Sequence, residues 1–292
     1  MKLIFVHGRG QGTEDEQKLK KQWIDTLKTG LAKSGLELPI AESDVKFPFY
    51  GKILDQMILE YGKPVRSIVK KGANGENVQD ARFVHDFLKE VSDNAKITTQ
   101  QIEMENPEQI TDKGPLNWGW VQAILRALDE HTSWGEVSIK KFTRDVFIYL
   151  TVSAINEKID EMVTDVFDDE PCVVVGHSLG SIVCYNVLRD SNSFKVCKFI
   201  TVGSPLGLKA VKNYLKTPII MPQCVKNGWY NAFDDRDVVA LNPLNEEYFE
   251  IDPAIENKSD VENHTKNRHG IIGYLDDKEI ARQIYDALVN GC

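Results

Sequence analysis

The stretch at residues 172–181, CVVVGHSLGS, limits the possible folds more tightly than any other part of the chain. The β-branched run Val173-Val174-Val175 predicts a strand buried on both faces. Residues 181–189 read as a helix, so Gly176-His177-Ser178-Leu179-Gly180 must turn the chain from strand into helix. A G-x-S-x-G turn is sharp: strand and helix nearly touch two residues before and after the serine, where only glycine fits. Such a turn lifts the Ser178 hydroxyl above the sheet edge. It also aims the free N–H groups of the following helix at the same point, which favours negative charge developing there.

Strand and helix patterns continue on either side. Residues 2–6 read as a first strand ending at His7-Gly8-Arg9-Gly10-Gln11-Gly12. A helix over 15–33 carries Leu19, Trp23, Ile24, Leu27 and Leu31 at helical spacing, and residues 44–50 give a short second strand. The rhythm lapses over 51–140, where helical patches at 53–61, 81–91 and 118–131 alternate with polar, turn-rich segments. We read 51–140 as a cap or lid inserted within a single domain spanning 1–292, because strands resume after it. Trp118, Trp120 and Trp134 either pack these cap helices, the commoner case, or line an acyl pocket. Residues 142–167 read as one long helix, 195–202 and 228–233 as strands, 248–251 as the last strand and 277–289 as the final helix. Strands alternating with helices imply a doubly wound, mostly parallel α/β sheet.

Composition narrows the function classes. A net charge of −9 argues against nucleic-acid binding and against a basic membrane-binding face. No apolar run approaches the length of a transmembrane helix, and the apolar run at residues 3–6 is too short for a signal-peptide core. The five cysteines show no C-x-x-C spacing, and Cys172, Cys184 and Cys197 fall in core elements. Free buried thiols and a cytoplasmic location are the expectation.

A serine hydroxyl becomes a useful nucleophile only with a base in hydrogen-bond reach and a carboxylate to orient that base. After Ser178 come the acids Asp234, Asp235 and Asp237, then His264 and His269. Asp237 precedes Val238-Val239 on the loop after a late strand and is the favoured acid, with Asp234 as the fallback. His269 lies in a loop just before the final helix and is the favoured base, with His264 as the fallback. His85 and His131 sit in helical patches of the insertion and read as surface or packing residues. An oxyanion needs two N–H donors. The Leu179 N–H is one candidate, and the Arg9 N–H, between Gly8 and Gly10, is the other.

Taken together, the Gly8-x-Gly10 loop, the Gly176–Gly180 turn, Gly203-Ser204-Pro205-Leu206, Asp237-Val238-Val239 and the late His269 resemble the α/β-hydrolase superfamily. More narrowly, they resemble its lipase- and esterase-like serine hydrolases. The resemblance spans nearly the whole chain apart from 51–140. It implies a compact sheet of about six strands and hydrolysis of a small-molecule carboxylic ester through an acyl-enzyme, with no metal or cofactor. Ser178 would be nucleophile, His269 base and acid, and Asp237 the orienting acid. Thioesterases, amidases and acyltransferases use the same machinery, and a non-catalytic binding protein can keep the fold. A dinucleotide cradle at Gly8-x-Gly10 is disfavoured, because Thr13 occupies the position of the third glycine.

Overall fold

The computed structural model describes residues 1–8, 14–61, 78–106 and 113–292. Its six strands, all parallel, lie in the order β2-β1-β3-β4-β5-β6. They are β1 (Lys2–Val6), β2 (Val45–Lys46), β3 (Cys172–His177), β4 (Val196–Val202), β5 (Trp229–Ala232) and β6 (Glu256–Lys258). The order reverses between β1 and β3, and the crevice beyond the strand ends at such a switch point is where open α/β sheets place their sites.

Alternation along the strands divides the interior in two. Leu3, Phe5, Val173, Val175, Ile200 and Val202 face α1 (Glu16–Ala32), which contributes Trp23 and Leu27 to this core. Ile4, Val6, Val174 and Phe199 face the other way, into a larger core built with the remaining helices. These are α2 (Gly51–Tyr61), α3 (Val78–Asn94), α4 (Thr99–Met104), α5 (Trp118–His131), α6 (Glu136–Thr151), α7 (Ser153–Thr164), α8 (Leu179–Arg189) and α9 (Lys209–Lys212). Two helices close the chain, α10 (Ile271–Leu275) and α11 (Lys278–Asn290). The second joins α1 on the first face through Ile280 and Ile284. The helices of 51–140 therefore share one apolar core with the sheet.

Four expectations need correction. The single helix over 142–167 is two, because Val152 adopts an extended backbone (φ −103°, ψ 97°) between α6 and α7. Thr151 and Val152 are both β-branched and hold a helix weakly. The break lets Tyr149 and Ile155 both reach the core. Residues 248–251 form no strand: the Asn245 side chain accepts from the N–H groups of Glu247 and Tyr248 and turns the chain, burying Phe249 against Trp229. The last strand is instead the polar edge β6, which has no apolar alternation to read. The second strand shrinks to Val45–Lys46, preceded by a 3₁₀ turn at Glu42–Asp44.

The fourth correction concerns the thiols. Cys172, Cys184 and Cys224 are free and buried, but Cys197 is disulfide-bonded to Cys292. Asn227 bonds the Gly291 carbonyl through its side-chain amide and holds the chain end beside β4, bringing the two Cα atoms within 4.6 Å. Among the described residues no helix is long and apolar enough to cross a membrane.

Candidate active site

Ser178 stands between β3 and α8 with φ 57° and ψ −129°, a conformation strained for any side-chain-bearing residue. Several contacts hold it there. Its N–H donates to the Val202 carbonyl at 3.2 Å, and its own carbonyl accepts from the Ser181 hydroxyl at 2.6 Å. The Ser181 hydroxyl in turn meets the Ser204 hydroxyl at 2.7 Å. The glycines are sterically required. A methyl group on Gly180 would sit 2.3 Å from the Val6 carbonyl oxygen, and one on Gly176 would sit 2.8 Å from the Ser181 Cα. A methyl group on Gly8 would approach the Ser178 Cβ to 2.8 Å, so the loop after β1 lies directly against the serine.

The structure brings Ser178, His269 and Asp237 together from three distant parts of the chain. His269 Nε2 lies 2.8 Å from Ser178 Oγ, and His269 Nδ1 lies 2.6 Å from Asp237 Oδ2. With Nδ1 donating to the carboxylate, Nε2 is left as the acceptor facing the hydroxyl. Asp237 is fully buried. Its Oδ2 also accepts from the Tyr274 hydroxyl at 2.7 Å, whereas Oδ1 has no partner among the described residues. Burial first, and then the neighbouring Asp237, holds the Tyr274 hydroxyl far above its ordinary pKa, so it remains a donor.

The two fallback residues lie elsewhere. Asp234 Oδ2 accepts from the Asn263 N–H at 2.7 Å, and Oδ1 accepts from the Arg236 N–H. Asn263 then accepts from Thr265 and donates to the Gly270 carbonyl, so Asp234 shapes the loop that carries His269. His264 is exposed, with Nδ1 3.7 Å from Asp276 Oδ2. Of the oxyanion candidates, Leu179 opens α8, where an N–H has no acceptor within the helix. Arg9 and Gly10 lie outside the described residues.

Two histidines that the sequence placed only inside motifs prove structural. His177 Nε2 donates to the His269 carbonyl at 2.8 Å and fixes the backbone of that loop. His7 Nε2 accepts from the Tyr50 N–H, and His7 Nδ1 donates to the Gly8 carbonyl. Burial lowers both imidazoles, His7 to about 4. Above about pH 6.5 neither the folded nor the unfolded chain protonates them. Below that, the unfolded chain takes up protons that the folded chain refuses, so stability falls toward pH 4, by about 3 kcal/mol for His7 alone. Asp160 opposes this trend: burial pushes it up to about 6, and protonation then restores stability as the pH falls below that value. Denaturant midpoints measured from pH 7 to pH 5 should therefore decline, and more steeply in Asp160→Asn. Equal, flat profiles in both proteins would contradict this.

The site opens into a cavity of about 980 Å³. Trp134 and Phe142 form its apolar wall, with ring centres 4.9 and 5.7 Å from that of His269. Trp134 is thus at the site, whereas Trp120 is core. Among the described residues no cluster of three or more His, Cys, Asp or Glu side chains is arranged to hold a metal ion.

No family model matches the chain, and no curated protein matches it significantly.

Proposed function

We propose that this protein is a serine hydrolase of the α/β-hydrolase superfamily, with 51–140 as its cap, that cleaves carboxylic esters through an acyl-enzyme. The observation that carries this reading is the relay of 2.8 and 2.6 Å from Ser178 through His269 to Asp237, beginning at a strained serine.

Chemistry follows from the geometry. As Ser178 Oγ attacks the ester carbonyl, its proton passes to His269 Nε2. The imidazolium formed is stabilised by Asp237. That carboxylate is buried and solvated only by Tyr274 and His269, so it gains most when the ring becomes charged. The tetrahedral oxyanion sits over the start of α8, where the Leu179 N–H donates to it; the second donor belongs to the loop after β1. His269 then gives its proton to the leaving alkoxide, and water attacks the acyl-serine with His269 again acting as base.

A fluorophosphonate probe tests the reading. Labelling of the wild-type protein that disappears in Ser178→Ala is the expected result. An unlabelled wild type would point to a non-catalytic binding protein on the same fold.

A further inference from the structure

The cavity at Ser178 has two unlike parts. The part against the nucleophile is short and apolar, bounded by Trp134 and Phe142, which are 2% and 1% exposed. Behind them the core is already filled: Phe87 packs on Phe142, and Phe83 packs on Phe147. No channel for a long alkyl chain runs between those rings. The other part runs along the exposed side of α1, from Lys18 past Gln22 and Asp25 to Thr29. Its opposite wall is the loop carrying His269, with Thr265 and Asn267.

At 1.5 Å per residue the α1 wall is about 16 Å long, which matches about five residues of extended peptide at roughly 3.3 Å each. The side chains along it are amides, hydroxyls and charges of both signs. Amides and hydroxyls offer both donors and acceptors, as a peptide backbone does. The mixture of Lys18 and Lys21 with Asp25 and Asp276 does not suit a polyanion. No aromatic ring lines this arm among the described residues, so nothing there offers a stacking face to a sugar.

We infer that the substrate joins a short acyl group, held against Trp134 and Phe142, to an extended hydrophilic peptide carried along α1. This rests on the serine hydrolase reading. The step is hydrolysis: the ester C–O bond breaks, water supplies the hydroxyl of the released acid, and the peptide hydroxyl leaves with the proton.

The experiment compares three esters on the wild-type protein: p-nitrophenyl acetate, octyl acetate, and an N-capped pentapeptide of mixed charge with an internal O-acetylserine. The expected result is a kcat/KM for the peptide ester at least about tenfold above that for octyl acetate. In Gln22→Leu/Thr29→Val, the ratio of kcat/KM for the peptide ester to that for p-nitrophenyl acetate should fall by about tenfold. Both positions are exposed, where substitutions rarely unfold a protein. Turnover of p-nitrophenyl acetate with octyl acetate preferred, or with the ratio unchanged in the variant, overturns the inference and leaves the hydrolase reading standing. So does a clear preference for an O-acetylated tetrasaccharide over the peptide. Failure to turn over any of these esters overturns both.

Discussion

Ser178→Ala and His269→Ala are each expected to lower kcat for p-nitrophenyl acetate by about 10³-fold or more. The serine supplies the bond-forming oxygen, and the imidazole 2.8 Å away is placed to remove its proton. Neither loss is repaired by a neighbour. His177 lies close by, but its Nε2–H is committed to the His269 carbonyl. The double variant should be little worse than either single one, because residues acting as a unit lose their effect together. His264→Ala should stay near wild type, since that ring faces Asp276 on the surface. A dead His264→Ala beside an active His269→Ala would reverse the assignment.

Asp237→Asn is expected to cost about 10³- to 10⁴-fold in kcat with the fold intact. The reason lies in the hydrogen bonds around Oδ2, which accepts from both the Tyr274 hydroxyl and His269 Nδ1. An amide has only one oxygen. If that oxygen keeps Tyr274, the amide NH₂ faces Nδ1 and moves the imidazole proton to Nε2, where it blocks acceptance from Ser178. If instead the oxygen keeps His269, the imidazolium still loses its counter-charge. Either way the step that forms the imidazolium suffers, so the loss should appear in kcat more than in KM. Wild-type kcat in a folded Asp237→Asn protein would remove Asp237 from the mechanism.

What the sequence made legible was local. The Val173-Val174-Val175 run and the two glycines around Ser178 announce their turn because steric demands two residues apart are written within five positions. Parallel α/β architecture was equally readable from alternating strands and helices. Choosing between Asp237 and Asp234 was harder, because both are fully buried in one loop and differ only in what they touch. Tyr274, His177 and the Ser181–Ser204 pair carried no signal at all, since each acts on a partner brought near only by folding. The Cys197–Cys292 bond spans 95 residues and depends on where α11 ends, which no spacing rule reports. β6 was missed for a different reason: an edge strand of Glu256, Asn257 and Lys258 has no buried face to create a pattern.

The most direct measurement is capture of the covalent intermediate. Acid-quenching the protein during turnover of p-nitrophenyl acetate and mapping its peptides should find one acetyl group, on Ser178, and none in Ser178→Ala. Turnover that leaves Ser178 unmodified while another side chain carries the acetyl group, in wild type and Ser178→Ala alike, would contradict the account.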